Sequence, residues 1–131
     1  MCIRDRNSFF YSSAQQPDAA QMAGARVDLG LLYRKEGKFA RAEASFKRAL
    51  KLTEHCYGNR STVVGSVLND LALVYADQRL FARAEPLLER SLAIMKSAPP
   101  PSPLLAETRE ILEQVQRAEG KPAENAPSAK P

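Results

Sequence analysis

Apolar residues recur at Leu29, Leu32 and Tyr33 and, past Gly37, at Phe39, Ala42, Phe46, Ala49 and Leu50. These three- and four-residue spacings put one apolar face on each of two successive helices and do not fit the period of two that a strand requires. Gly37 falls where the first helix must stop, because glycine accepts the left-handed backbone that closes a helix end. The same pattern then returns. LGLLYRKEGKFARAEASFKRAL, from Leu29, aligns without a gap on LALVYADQRLFARAEPLLERSL, from Leu71, a shift of 42 positions with ten of 22 residues identical. The identities are Leu29/Leu71, Leu31/Leu73, Tyr33/Tyr75, Phe39/Phe81, Ala40/Ala82, Arg41/Arg83, Ala42/Ala84, Glu43/Glu85, Arg48/Arg90 and Leu50/Leu92. A unit repeated at this period is one supersecondary module used twice.

Each module reads as helix, tight turn, helix. Pro17 and Asp18 open the first helix, with Gln21 placed to complete a capping box, and the helix runs to about Glu36. The second spans about Phe39 to Tyr57, with Gly58 as its stop, and Glu43 and Lys47 form a four-residue ion pair on it. Ser61 or Thr62 caps a third helix from about Val63 to Gln78, and a fourth covers about Ala82 to Ser97, with Pro86 near its opening turn. The run Ala98-Pro99-Pro100-Pro101-Ser102-Pro103 ends it. A fifth helix, about 103–119, is nearly in phase with the repeat, since Leu112 follows Leu71 by 41 positions; Gln116 replaces the tyrosine, and no partner helix follows Gly120. That is the form of a terminal cap, apolar on one side and polar on the other. Ala42 and Ala84 are small enough for close helix approach, with Phe46 and Leu88 filling the space beside them. The expected fold class is all-α: an α-solenoid of two helical hairpins plus a C-terminal capping helix.

At 131 residues the chain is one domain's worth, and 26% charged with 44% hydrophobic residues is ordinary for a soluble globular protein. No apolar run approaches the roughly 20 residues that span a bilayer. Cys2 and Cys56 give neither a disulfide framework nor metal-ligand spacing. The opening, Met1-Cys2-Ile3-Arg4-Asp5-Arg6, looks like translated read-through of a sequencing-library adapter, and residues 1–6 are expected to be non-native. Without them 17 basic and 14 acidic side chains remain, a net charge of +3 against +4 for the whole chain, and the sequence is expected to be a fragment. Residues 1–16 are thus adapter and irregular lead-in, 17–120 the repeat domain (copies about 18–58 and 61–97), and 121–131 a tail expected to be disordered, having no large apolar residue. Ser12-x-Ala14 after Phe9-Phe10-Tyr11 could also be the end of a cut secretory signal, but no basic or long apolar region precedes it. A cytoplasmic location is therefore favoured over export.

Leu29-Gly30-x-x-Tyr33 followed by Ala42-x-x-x-Phe46 resembles the tetratricopeptide repeat, as do Leu68-x-x-Leu71-Ala72-x-x-Tyr75 and Ala84-x-x-x-Leu88. The usual unit is about 34 residues. The 42-residue spacing looks like the kinesin-light-chain type, common in bacterial repeat arrays. Two departures stand out: Glu54 and Lys96 occupy the place of a usual proline, and Val27-Asp28 that of two asparagines. The resemblance implies a curved stack whose inner wall is lined by the first helix of each unit. By register it implies partner-binding positions at Val27, Leu31, Arg34 and Lys35, with Gly24, and at Asn69, Leu73 and Asp77, with Ser66 and Ala76. On the cap, Glu107, Glu110, Gln114 and Arg117 follow. Asn69 stands where the family clamps a bound backbone through a two-sided amide. Against this, Arg34, Lys35 and Asp77 could simply be solvated helix ends.

Chemistry-bearing motifs are sparse. His55 and Cys56 point about 100° apart on a helix and lack a third ligand or an orienting carboxylate, so a metal or nucleophile reading is weak. The proline run has sufficient cause as a helix terminator and linker, although an aromatic groove could take it as a polyproline ligand. There is no Gly-rich phosphate loop, and basic residues alternate with acidic ones, which disfavours nucleic acid. No enzyme activity, cofactor or metal is expected. The reading is a protein-interaction module that takes a peptide or partner segment in its inner groove; the alternative is an assembly scaffold that self-associates through exposed repeat faces. Two repeats are thin where about three are usually needed. The leading face of the first hairpin is therefore expected to expose part of an apolar stripe.

Overall fold

A computed structural model describes residues 18–98 and 102–120. Five helices follow in order: α1 (Ala19–Lys35), α2 (Phe39–Tyr57), α3 (Thr62–Asp77), α4 (Phe81–Ser97) and α5 (Leu104–Ala118). Among the described residues there is no strand. The lead-in, the proline run at 99–101 and the tail lie outside the described residues. Each helix packs chiefly on its neighbours in sequence, with lesser contacts of α1 with α3 and of α3 with α5. This is a stack of two hairpins closed by a single helix, an all-α helical repeat.

Helix ends follow local chemistry. The Gln21 amide donates to Asp18 Oδ1 at 2.8 Å while the Asp18 amide donates to Gln21 Oε1 at 3.2 Å, a complete capping box. Ser61 Oγ accepts from the Val63 amide at 3.0 Å, so Ser61 is the cap of α3. Gly37 closes α1 at φ +78°, and Arg79, at the matching place after α3, adopts φ +65°. The turn survives without glycine because its closing bonds are the same: the Lys38 amide to the Tyr33 carbonyl at 2.8 Å, and the Leu80 amide to the Tyr75 carbonyl at 2.9 Å. Pro86 lies more than a turn into α4, deeper than its expected place at the opening. There it removes the amide that would bond the Ala82 carbonyl.

Inside each hairpin, facing residues match in volume. Ala42 and Ala84 have no exposed surface, as expected at a close approach, and neither have Phe46 and Leu88. A methyl at Gly30 would sit 2.8 Å from the Phe46 ring. The second hairpin carries Ala72 and Leu88 at those positions, so the larger residue on one helix goes with the smaller on the other. Burying one such side chain is worth about 1.5–3 kcal/mol. Between the hairpins the Tyr75 hydroxyl donates to Glu43 Oε2 at 2.9 Å, and between the second hairpin and α5 Gln116 Nε2 donates to Glu85 Oε2 at 3.2 Å. Gln116 thus keeps the link that the replaced tyrosine would make. The predicted Glu43–Lys47 pair is present at 2.8 Å, and it, ahead of the Tyr75 bond, holds the Glu43 carboxyl below its usual range.

The expected apolar stripe is also present. Met22 and Leu32 on α1 are 40% and 50% exposed, whereas Val64 and Val74, their counterparts on α3, are fully buried. On α5, Ile111, Leu112 and Val115 are buried while Arg109, Glu110, Gln114 and Arg117 face water.

Candidate functional site

A groove of about 590 Å³ opens between α1 and α3, lined by Leu31, Leu32, Arg34, Lys35 and Asp77. The last turn of α1 and the final residue of α3 build it, so the two helix ends are brought together by the α1–α3 contact. Arg34 grips Asp77 with both arms of its guanidinium, Nε to Oδ2 at 2.6 Å and Nη2 to Oδ1 at 3.3 Å. Both side chains are about a third exposed (32% each). At that exposure the pair contributes at most about 1 kcal/mol and acts mainly by fixing geometry. Leu31 is 42% exposed beside it, and Lys35 makes no ion pair among the described residues.

Four of the seven sequence-predicted partner-binding residues therefore meet in one groove: Leu31, Arg34, Lys35 and Asp77. The other three lie elsewhere. Val27 and Leu73 are half-buried and pack against the hydrophobic core. Asn69 is only 5% exposed, and its Nδ2 donates to Thr108 Oγ1 at 2.8 Å, joining α3 to α5. Thr108 in turn donates to the Leu104 carbonyl at 2.8 Å. As placed, Asn69 ties α5 to α3, with its Oδ1 buried and unpartnered. Its side chain is not presented to the groove.

Two features of this part of the molecule, one in the groove and one on α3, escaped the sequence. Leu32 reads as a core position from its spacing, yet it lines the groove because, among the described residues, no helix covers that side of α1. Asp70, half-buried on α3, has its carboxyl pushed up to about 6 by burial, the Arg34 charge opposing and the Glu107 charge adding to the rise. Arg34 thus contacts Asp77, and its charge also bears on Asp70. No spacing signal distinguishes Asp70 from its exposed counterpart Asp28.

A second hollow, of about 550 Å³, is framed by Glu54, Asn59, Arg60, Arg90, Ala93, Ile94 and Ser97. Arg90 spans it, reaching Glu54 Oε2 at 2.7 Å and the Asn59 carbonyl at 3.3 Å, and so serves as a tie between hairpins. His55 is exposed and Cys56 buried. Among the described residues no group of three His, Cys, Asp or Glu could hold a metal ion, and no helix is long and apolar enough to cross a membrane.

The fold and groove can be set against known proteins. Residues 18–97 match the tetratricopeptide repeat family, whose members are in general protein–protein interaction modules. The crystal structure of BtubC (BKLC) from P. vanneervenii is similar, with a TM-score of 0.73 and 29% sequence identity over 76% of this chain and 41% of that one. The chain thus spans less than half the length of that relative. No curated protein matches it. With helix pairs in tandem, the conserved turn geometry and the family match over both hairpins, the chain belongs to the tetratricopeptide repeat family.

Proposed function

We propose that the α1–α3 groove holds a short segment of a partner protein, and that this is how the chain acts as an interaction module. One observation carries the reading: apolar surface and oriented charge converge at one concavity, where Leu31 and Leu32 stand beside Arg34, Lys35 and Asp77. The leucines offer area that a partner side chain can remove from water, at roughly 25 cal/mol per Å². The Arg34–Asp77 pair supplies fixed donors and acceptors, and Lys35 a cation free to meet a carboxylate on the partner. Such a site selects by register as much as by area. An assembly role, by contrast, would run through the apolar leading face of α1 and not through this groove.

Selection of peptides from a random display library against the full chain tests the proposal. Leu31→Asp and Lys35→Glu each alter an exposed groove residue, and each is expected to weaken selected peptides at least tenfold while circular dichroism and melting stay unchanged. Peptides that bind both variants as well as the parent would place recognition elsewhere.

A further inference from the structure

The Arg34–Asp77 bond brings the C-terminal ends of α1 and α3 together, so the two hairpin turns lie at one edge of the stack. That edge is basic. Residues 34–41 and 76–83, the same stretch in the two copies, carry six basic side chains and two acidic ones, a net charge of +4 that equals the charge of the whole chain. Both acids already have partners. Asp77 is held by Arg34 at 2.6 Å, and Glu36 by Lys38 at 3.2 Å. Lys35, Arg41, Arg79 and Arg83 remain, all exposed and making no ion pair among the described residues. The Arg83 charge bears on Glu43, but that carboxylate is bonded to Lys47 and Tyr75.

The three arginines are placed by the core. Arg41 lies over the Tyr33 ring at 5.9 Å, and Arg83 over the Tyr75 ring at 6.0 Å, the same pairing 42 positions on. Arg79 lies over Phe81 at 6.0 Å. Tyr75 is buried, and Tyr33 and Phe81 pack against the core, so each guanidinium rests on a fixed ring. A guanidinium over an aromatic face keeps its planar fork of N–H donors for a carboxylate. A side chain already held in place also loses less freedom when a partner binds. Arg79 adds a further sign. It takes φ +65° at the turn position that glycine fills in the first hairpin, a conformation that costs an arginine more than a glycine.

We propose that this turn edge is a second interaction surface, which takes an extended acidic segment of a partner protein. Charge complementarity defines the occupant. α1 and α3 are in contact, and packed helices stand about 8–10 Å apart, a step that an extended chain covers in about three residues. Carboxylates about three residues apart therefore reach Arg41 on one turn and Arg83 on the next. A continuous phosphate backbone suits the edge less well, because Glu36 and Asp77 stand among the cations, whereas side chains spaced along a peptide pass between them. Arg41, Arg79 and Arg83 do not line the α1–α3 groove, so the two surfaces are separate; Lys35 borders both.

The test is titration into the full chain of a synthetic peptide with glutamate at every third position and glycine and serine between, followed through backbone amide chemical shifts. Saturable shifts at residues 38–41 and 79–83 are expected, fading as salt rises, and none from the same peptide with glutamine for glutamate. The double variant Arg41→Gln, Arg83→Gln should weaken binding at least tenfold. Lys51→Gln with Lys96→Gln removes as much charge from exposed positions away from the edge and should weaken it less than twofold. The shift pattern in the parent protein decides the matter even if a variant fails to fold. No saturable shift up to millimolar peptide, equal weakening by the two double variants, or shifts centred on Leu31 and Asp77 would overturn the proposal. So would tighter binding of an oligothymidylate at the same residues, which would make a phosphate backbone the ligand.

Discussion

Leu32 and Val74 hold the same register in two copies of one helix, yet Leu32 is half exposed and Val74 has no exposed surface. Met22 and Val64 differ in the same way, and Asp28 is open to water where Asp70 is half-buried. The backbone is not the source, since both hairpins close through the same turn bonds and both bury an alanine at the helix crossing. The difference is the neighbour. α3 lies between α2 on its leading side and α5 beyond, whereas among the described residues α1 has a helix on one side only. In a stacked array, burial belongs to the interface between units more than to the unit.

The largest expected effect breaks that comparison at a single aligned position. Val74→Asp places an unpaired charge in the fully buried core and should cost about 4 kcal/mol or more, enough to abolish the cooperative melt. Leu32→Asp, at the same place in the first copy, should change stability by no more than about 0.5 kcal/mol. Equal losses in thermal melts would show that α1 is covered in solution.

Next comes the exchange of volume between facing helices. Gly30→Ala pushes a methyl to 2.8 Å from the fully buried Phe46 ring, so the ring or the helix must shift. A cost of about 1–3 kcal/mol is expected, partly offset by the roughly 1 kcal/mol that alanine gains over glycine in a helix. Adding Phe46→Leu recreates the alanine–leucine pairing of the second hairpin. The double variant should be more stable than the two single changes sum to, with a coupling of about 0.5 kcal/mol or more. Strict additivity in chemical denaturation would remove the idea of matched volumes.

A smaller effect sharpens the contrast between Asp70 and Asp28. Burial, with help from Glu107 and against Arg34, holds the Asp70 carboxyl at about 6 in the folded chain, above the ordinary 3.8. A raised folded value means that the stabilising contribution is complete below the unfolded value and is lost as pH rises through about 6. The melting temperature should therefore climb as pH falls from 7 toward 5. Asp70→Asn should flatten that climb and add of order 1–2 kcal/mol at pH 7, whereas Asp28→Asn should do neither. A wild-type profile flat between pH 5 and 7 would count against the buried carboxylate.

Much of this architecture was written into the chain. Five helices, their ends within a residue or two, the Asp18–Gln21 box, the Gly37 and Gly58 stops and the amphipathic face of α5 all follow from spacing and end chemistry, because those forces act within a few residues. Groove positions were legible in part. Leu31, Arg34, Lys35 and Asp77 were readable from repeat register, since register fixes which way a side chain leaves its helix. Only the packed structure decided the rest. It sent Asn69 to Thr108 instead of to the groove, turned Leu32 from core to surface, and left Asp70 half-buried under the opposing charges of Arg34 and Glu107. Each of these depends on which helix lies alongside and how near it comes, a distance set by the summed volumes of many side chains and encoded by no single stretch of sequence.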